Sequence, residues 1–468
     1  ARSQCTRRDR RTAGGGPPPG QLPPGRLHLV CDAGTLPDVR GRLFALTTDA
    51  IDALRRNRSA SLTHALSIGD AISLVGRAVF MRFLLDRNIV SMKDLAETHP
   101  AGLLDDELFD GSENAASTCA WIDATFNGDL LPLSFPVEAR ELEERIDVDG
   151  WRSLGNILRR AAGGQFDLSD DWTGLDFSRI PAGVLSQLYE QQAATWAPDQ
   201  RRETSIYFTP APIADLMVNS VLAALDPVEG SSRDQAIVLD PAVGGGVFLV
   251  SALRELVKIR WERTSRRPGT AEIREIVATQ LFGLDINETA LRLTALSLYL
   301  AALELDPDPQ PLASLRFRRL VGTNLVHVGS DEPAGRAGSL GPNSPSEWDR
   351  KFDVVVGNPP WTSGKRDAAV AALVTQRVRS VVAEVIPDEA REFALPDNNP
   401  DIAFLWRSLL WSREGGRIAL VSHARLWLKQ SPVGTAARSQ LLRAAEWTSV
   451  VNCAALRMSG VWPNITAP

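Results

Sequence analysis

Residues 237–253 read IVLDPAVGGGVFLVSAL, and their order is the clearest indication of the fold in this sequence. It begins as an apolar strand, turns at an aspartate and three consecutive glycines, and continues as a helix that starts near Val247. Glycines let a backbone turn tightly and leave no side chain between it and a bound ligand. The order therefore predicts a ligand-binding loop, although a structural turn or a site for another nucleotide fits this motif too.

Two common nucleotide motifs do not match this loop. The dinucleotide fingerprint GxGxxG needs a third glycine where position 249 is leucine. A P-loop needs Gly-Lys-Ser or Gly-Lys-Thr after the glycines, and no such tripeptide follows.

On both sides of the loop, after residue 205, short apolar strands alternate with helices. Helical patterns such as VFLVSALRELVKI and ETALRLTALSLYLAALEL separate the strand candidates. The strand candidates are AIVLDPA, QLFGLDI, KFDVVVGNPP, GRIALVSHA and WTSVVNCAAL. This alternation predicts an α/β fold with a mainly parallel sheet that is covered on both faces. In such sheets ligands bind at the carboxyl ends of the strands.

The second of these strands ends in an acidic residue. LFGLDINETA places Asp285 where a carboxylate can accept hydrogen bonds from both hydroxyls of a ribose. Alternatively, the same carboxylate could cap the next helix, which is expected to start at Asn287. The glycine loop beside it favours the ribose.

The strand KFDVVVG ends in Asn-Pro-Pro-Trp. Asn358 offers a side-chain carbonyl and Pro359 a backbone carbonyl, and both are hydrogen-bond acceptors. Two prolines hold these acceptors rigidly without adding donors, and Trp361 offers a face on which an aromatic base can stack. Such a turn is expected to accept hydrogen bonds from an exocyclic amine and to orient the lone pair of the amine towards an electrophile. The alternative is an Asx turn that ends a strand, with Trp361 packed in the core.

The part of the chain upstream of residue 201 divides into two segments. Residues 1–45 are basic and rich in glycine and proline, and they predict a disordered tail. Residues 46–200 predict a mainly α-helical domain, and in AISLVGRAVFMRFLLDRNIV apolar residues recur at spacings of three and four. Residues 201–468 are predicted to form the catalytic domain.

Bulk composition excludes several classes of protein. The chain has 468 residues, of which 44% are hydrophobic, and no apolar run approaches the roughly 20 residues of a membrane helix. Its four cysteines form no CxxC pair, which favours a reducing cytoplasm over a zinc ribbon or a disulfide framework. The net charge of −6 counts weakly against DNA binding by this part alone.

DPAVGGGVF, FGLDI and VVVGNPPW, in this order, resemble the motifs of S-adenosylmethionine-dependent amino-methyltransferases. Most of all they resemble the bacterial DNA adenine methyltransferases of restriction–modification and related phage-defence systems. YFTPAPIADLMV resembles the amino-terminal cofactor motif of that family, and the helical region resembles what precedes the domain in its large members. The resemblance implies a Rossmann-like S-adenosylmethionine-dependent methyltransferase fold that acts on the N6 amine of a flipped-out adenine.

The resemblance also implies roles for individual residues. Asn358, Pro359, Pro360 and Trp361 would hold the target base. The implied cofactor residues are Thr209 and Pro210 at the methionine portion, Asp240, Ala242, Gly244, Gly245 and Gly246 in the cradle, Phe248 behind it, Asp285 at the ribose and Ile286 at the adenine ring. NNPDIAFLW, with Asp401 and Phe404, resembles a further pocket motif.

Two family features are absent from the sequence. The family commonly carries a carboxylate after the third strand, and here VGTNLV offers Thr323 or Asn324 for the adenine of the cofactor instead. Some large relatives carry a nuclease with an acidic residue two positions before a lysine. Only Lys351 meets that rule, with Asp349. Because Lys351 lies at the start of the strand that leads into Asn-Pro-Pro-Trp, we expect no such nuclease. No metal site is predicted either.

The resemblance implies double-stranded DNA as partner, bound through a recognition domain outside this chain, and other restriction or defence subunits are candidate partners. We interpret the chain as a fragment that stops where a last strand and that domain are expected. A protein-glutamine or RNA methyltransferase of the same fold is the alternative activity. A non-catalytic cofactor-binding scaffold within a defence complex is the alternative class.

Overall fold

The structure is a computed structural model. It describes residues 36–56, 64–126, 131–160, 172–181, 183–184, 209–226, 232–309, 316–361, 367–391 and 393–459. The predicted tail, residues 1–45, lies mostly outside these ranges, but its last part is helical because the first helix begins at Leu36. LSQLYEQ and the start of YFTPAPIADLMV also lie outside the described residues.

The described part of the chain contains one five-stranded sheet. Its strands are β1 (Val238–Asp240), β2 (Leu281–Asp285), β3 (Leu325–His327), β4 (Phe352–Gly357) and β5 (Ser412–Leu420). The strand order is β3-β2-β1-β4-β5, and every neighbouring pair is parallel. The α/β fold with a parallel sheet, predicted from the sequence, is confirmed.

Fourteen α-helices are described. They are α1 (Leu36–Arg55), α2 (Ile68–Asp86), α3 (Ser112–Phe126), α4 (Ala139–Glu143), α5 (Val148–Leu158), α6 (Ala211–Ala224), α7 (Val247–Thr264), α8 (Thr270–Thr279), α9 (Glu288–Leu305), α10 (Pro333–Arg336), α11 (Ala368–Val385), α12 (Pro400–Trp411), α13 (Arg425–Leu428) and α14 (Pro432–Ala444). The helical region before the sheet is therefore also confirmed.

The sheet separates two apolar cores. Because successive strand side chains point to opposite faces, Val354 and Val356 enter one core and Val355 enters the other. The first core also contains α6 to α9 and the helices upstream of residue 160, whereas α11 and α12 cover the second face. This arrangement leaves the carboxyl edge of the sheet as the place where polar loops converge.

Helix α2 lies at the centre of the upstream region. It is buried on all sides, including the guanidinium groups of Arg77 and Arg82. Both arginines donate to backbone carbonyls of other segments, and Arg77 also pairs with Asp123 and Arg82 with Asp86. Burial of these charges is tolerated because each is paired and hydrogen-bonded.

The strand predicted in WTSVVNCAAL is wrong. Residues 446–453 contain no strand, and a 3-10 helix, Ala454–Ser459, follows. Val450 is 57% exposed and Val451 is 71% exposed. The apolar pattern alone does not make a strand, because ladder hydrogen bonds need a neighbouring strand edge in register.

Gly357, the last residue of β4, lies directly against the end of β1. A Cβ atom at this position would lie 2.6 Å from Asp240 Oδ1 and 3.3 Å from Pro241 Cδ. We expect Gly357→Ala to lower the free energy of unfolding by about 1–3 kcal/mol, because one of the two strand ends must shift. Urea unfolding monitored by circular dichroism measures this loss.

Gly155→Ala in α5 serves as the matched control, since an added Cβ would meet only the Asp106 carbonyl oxygen at 4.0 Å. We expect this variant to be as stable as the wild type or slightly more stable, because alanine favours helices. Equal stability of the two variants would contradict close packing at Gly357.

Candidate active site

The glycine loop follows β1 and is held by the carboxyl groups at the ends of β1 and β2. Asp240 Oδ1 accepts from the Ala242 amide at 3.0 Å, and Asp285 Oδ2 accepts from the Gly244 amide at 3.0 Å. The Val243 amide donates to a carbonyl of β2 at 3.0 Å. These three hydrogen bonds fix the loop to the ends of two adjacent parallel strands.

Two hydroxyl groups of α9 hold the loop from the other side. Thr294 Oγ1 donates to the Gly244 carbonyl at 2.9 Å, and Ser297 Oγ donates to the Gly245 carbonyl at 3.1 Å. Sequence reasoning missed both residues. The signal was available, since they are polar residues spaced three apart in the mainly apolar middle of the helix, residues 293–303.

Gly246 occupies a position that only glycine fills easily. Its φ is +83°, and a Cβ there would lie 2.9 Å from Thr294 Cγ2. Helix α7 starts at the next residue, so its positive end points at the loop. Phe248, in the first turn of α7, is buried in the core behind the loop. The helix start at Val247 is confirmed.

Asp285 is not the cap of the next helix. That role belongs to Asn287, whose side chain accepts from the Thr289 amide at 2.9 Å. Asp285 instead accepts from the amides of Gly244 and Asn287, at 3.0 and 2.8 Å. A carboxylate has about four acceptor sites, so these two bonds leave capacity for hydroxyl groups of a ligand.

Ile286 lies beside Asp285 and is 40% exposed. Two residues, His327 and Gly338, lie close to Ile286. His327 Nε2 lies 2.9 Å from the Ile286 carbonyl oxygen, and a Cβ at Gly338 would lie 2.6 Å from Ile286 Cγ2. The exposed face of Ile286 is therefore available to a flat apolar ligand.

Thr323 and Asn324 do not follow the third strand, and this corrects the prediction that they lie at the cofactor edge. Both precede β3, which begins at Leu325, and therefore lie at the opposite, amino edge of the sheet. Thr323 Oγ1 donates to carbonyls in the preceding turn, and Asn324 Nδ2 donates to the carbonyls of Ala278 and Leu281. Their hydrogen bonds fix the start of β2 and β3.

The two carboxyl groups at the loop lie close enough to influence each other. Asp240 is fully buried, and its Oδ2 has no hydrogen-bond partner among the described residues. Burial raises the pKa of Asp240 to about 8, with the Ala242 amide lowering it and the Asp285 carboxyl raising it by smaller amounts. Burial likewise raises the pKa of Asp285, which the Asn287 and Gly244 amides partly oppose. Such a pair favours a cationic ligand or a bound proton.

The Asn-Pro-Pro turn begins where β4 meets β1. Asn358 is half-buried, and its Nδ2 donates to Thr209 Oγ1 at 2.9 Å. Pro359 is buried beside it, and neither proline has an N–H group to offer. The structure thus brings together Thr209, Asp240 and Asn358, which the sequence singled out separately. Pro210 caps the amino end of α6 next to Thr209.

Trp361 differs from the expectation of an open stacking face. It is 1% exposed and packs against Ile213, Val421 and Cys453. Its Nε1 donates to the Val421 carbonyl at 3.2 Å, which holds the indole edge in the protein. The ring is therefore part of the packing that supports the turn in this structure.

A partly buried polar cluster lies next to Trp361. Arg425 donates to the Trp361 carbonyl oxygen, and Asp401 Oδ2 accepts from the His423 amide at 3.2 Å. Burial raises the pKa of Asp401 to about 6, although the Arg425 charge lowers it. Phe404, from the same predicted pocket motif, is buried in the core on the α11 and α12 face of the sheet instead.

Asp349 and Lys351 do not form a shared site. Asp349 pairs with Arg407 at 2.9 Å, whereas the Lys351 ammonium lies 4.0 Å from the Phe282 ring centroid. Within the described ranges, no group of three or more His, Cys, Asp and Glu side chains could hold a metal ion. No described helix is both long enough and apolar enough to span a bilayer.

Comparison with known proteins identifies related sequences. The family model described as N-6 DNA methylase matches residues 182–456. A protein of Methanocaldococcus jannaschii, described as a putative type II restriction enzyme and methyltransferase, is 37% identical over 75 residues. That match covers 15% of this chain and 6% of the relative.

Solved structures show a weaker likeness. The type IIG restriction endonuclease BpuSI has a TM-score of 0.48 at 16% identity, and the match covers 85% of this chain and 36% of that protein. The type IIL restriction–modification enzyme MmeI in complex with DNA has a TM-score of 0.48 at 17% identity, covering 87% and 53%. A type I methyltransferase subunit from Streptococcus thermophilus has a TM-score of 0.40 at 15% identity, covering 86% and 78%. Likeness at this level says nothing about activity.

The buried carboxyl of Asp240 makes stability depend on pH. Its folded pKa of about 8 lies above the ordinary value of 3.8, so the folded protein retains a proton that the unfolded chain releases. The stabilisation is complete below pH 3.8 and is lost as pH rises through about 8. We expect Asp240→Asn to remove this component, which is at most about 1.4 kcal/mol per pH unit.

Urea unfolding at pH 5 and pH 8 measures the difference. Between these values the wild type should lose more stability than Asp240→Asn, and the exposed-site control Asp388→Asn should behave as the wild type. Parallel losses in the wild type and Asp240→Asn would show that Asp240 does not hold the proton.

Proposed function

The chain belongs to the N-6 DNA methylase family, and from that premise we propose that it methylates the N6 amine of adenine in double-stranded DNA. S-adenosylmethionine is the proposed methyl donor, and the adenine is proposed to be flipped out of the duplex. The matched region covers only part of the length of its relatives, so the activity of the whole protein is a proposal.

One observation supports this proposal more than any other. Gly357, immediately before Asn358, approaches Asp240 so closely that an added Cβ would lie 2.6 Å from the carboxylate. The acceptor turn and the glycine loop therefore begin at touching strand ends. A methyl donor in the loop and an amine at the turn would be neighbours, which is the geometry that a direct transfer requires.

The residues at the loop fit S-adenosylmethionine. The buried Asp240 Oδ2 has no partner among the described residues and suits the ammonium group of the methionine portion. Asp285 retains acceptor capacity for the ribose hydroxyls, and the exposed Ile286 suits the adenine ring. When bound, the cofactor supplies an electrophilic methyl group on a positively charged sulfur. The positive charges of the cofactor would lower the pKa values of Asp240 and Asp285 and so favour their ionised forms.

The Asn-Pro-Pro turn supplies the acceptors for the substrate amine. The Asn358 side-chain carbonyl and the Pro359 backbone carbonyl can each accept one hydrogen of an exocyclic amine. Holding both hydrogens leaves the lone pair of the nitrogen directed away from the turn. The same two dipoles stabilise the positive charge that develops on the nitrogen during transfer. No nucleophilic side chain is needed.

We assign Trp361 to supporting the turn. The buried indole contacts the first turn of α6 through Ile213 and the segment after β5 through Val421. Arg425 holds the Trp361 carbonyl from a third direction. The turn thereby keeps its acceptors in a fixed position, so that less ordering is needed when substrate binds.

A restriction–modification or related phage-defence system is the proposed setting. The relative from Methanocaldococcus jannaschii, described as a putative type II restriction enzyme and methyltransferase, supports it. We propose that sequence-specific DNA binding comes from a recognition domain outside this chain. Other restriction or defence subunits are proposed as further partners.

Asn358→Ala tests the reaction. The variant and the wild type are expressed as the complete natural protein in a host that lacks DNA methylation, and nucleosides from the host DNA are quantified by mass spectrometry. We expect methylated adenine with the wild type and a loss of at least about 100-fold in the variant, because one acceptor for the amine is gone. The exposed Asn219→Ala on α6 is the matched control and should retain full activity.

Undiminished methylated adenine in Asn358→Ala would contradict the role of this residue. The same cultures are examined for methylated adenine in RNA and methylated glutamine in protein. A wild-type signal in either of these, with none in DNA, would replace the proposed substrate.

Asp285→Asn tests the cofactor site. The change removes the charge while preserving shape, so the ribose hydroxyls and the Gly244 amide lose a charged acceptor. We expect the Kd for S-adenosylhomocysteine, measured by calorimetry, to rise about 10- to 100-fold, which corresponds to one or two charge-assisted hydrogen bonds. The neighbouring exposed Glu288→Gln is the control, and equal Kd values for the two variants would exclude Asp285 from the site.

A further inference from the structure

The hydrogen bond between Asn358 and Thr209 joins two residues that are 149 positions apart. Thr209 is 4% exposed and lies immediately before the proline that caps α6. The carbonyl of that proline, Pro210, accepts from the amides of Ile213 and Ala214, so the backbone beside Thr209 is fixed by the helix. A buried hydroxyl on a rigid segment is therefore aimed at the amide of Asn358.

The direction of this hydrogen bond matters for the proposed reaction. An asparagine amide has a donor end and an acceptor end that differ only in their hydrogen bonds. A substrate amine is a donor, so it needs the carbonyl end of Asn358, and the NH₂ end must find an acceptor elsewhere. Thr209 Oγ1 is such an acceptor, at 2.9 Å. With Thr209 in this place, the amide is oriented before substrate arrives.

The same helix start also contacts the other end of the turn. Ile213, in the first turn of α6, packs against the buried Trp361 ring. The amino end of α6 therefore holds Asn358 by a hydrogen bond and Trp361 by packing. This double contact couples the position of α6 to the position of both ends of the Asn-Pro-Pro-Trp turn.

We infer that Thr209 is a positioning residue that sets the orientation of the Asn358 amide for methyl transfer. The inference rests on the proposed function and goes beyond it, because Thr209 is otherwise expected only to touch the methionine portion of the cofactor. The two roles differ in what they change. A positioning residue alters the rate of transfer, whereas a cofactor contact alters the affinity for the cofactor.

Thr209→Val and Thr209→Ser, compared in the complete natural protein, separate these roles. Valine preserves the shape of threonine and removes the acceptor, whereas serine retains the hydroxyl. We expect Thr209→Val to lower kcat for adenine methylation about 10- to 100-fold, as for a misplaced reacting group, with an unchanged Kd for S-adenosylhomocysteine. Thr209→Ser should restore most of kcat. An unchanged kcat with a raised Kd in Thr209→Val would overturn the inference in favour of a cofactor contact.

A double-variant cycle tests the contact without any reaction. Thermal unfolding midpoints are measured for Thr209→Val, Asn358→Ala and the double variant. Coupled residues should give a double variant whose midpoint falls by less than the sum of the two single shifts. Additive shifts would show that the hydrogen bond does not form and would overturn the inference.

The two measurements also separate failure of the inference from failure of the proposed function. A wild type that makes no methylated adenine, together with coupled midpoints, would overturn the proposed reaction and the role of Thr209 in it while the contact stands. An active wild type with equal kcat in Thr209→Val would overturn the positioning role alone.

Discussion

The end of β4 can touch the end of β1 only because position 357 has no side chain. A Cβ there would meet Asp240 at 2.6 Å, so the two strands could not both keep their register. The relative positions of the turn and the loop at this edge depend on that contact. It places the start of the Asn-Pro-Pro turn against the start of the glycine loop, and it brings an acceptor turn and a carboxylate-lined cradle into one site.

The glycine loop is held by neutral hydroxyl groups on one hand and by two carboxyl groups on the other. Loop carbonyls are held by hydroxyls of α9, and loop amides are held by Asp240 and Asp285. In the absence of a ligand, the two carboxyl groups thus accept hydrogen bonds from the loop amides. They can still accept further hydrogen bonds from a ligand. Because the same groups anchor the loop and face the cradle, ligand binding and loop rigidity are expected to strengthen each other.

The sequence predicted the parts of this site that follow local patterns. These local signals are the short, mainly apolar runs followed by Asp240, Asp285 or Gly357, and the glycine run before Val247. What failed depended on distant partners. The sequence places Thr323 and Asn324 at the wrong edge because the start of β3 is set by pairing with β2. The strand predicted near residue 450 has no neighbour in register among the described strands. The bond from Asn358 to Thr209 and the burial of Trp361 arise from packing of α6 and could not be read from either segment alone.

The upstream helices and one face of the sheet share a single apolar core. Residues from α1, α2 and α5 belong to the same buried cluster as α7, α9 and the inward side chains of β1 and β4. Glu304 of α9 adds an ionic link, since it pairs with Arg87 just after α2 and with Arg254 of α7. Opening the upstream helices would therefore expose the back of the sheet to water. Amide hydrogens of α2 and of the central strands should consequently exchange in one cooperative opening event, so the helical region acts as part of the folding unit that carries the site.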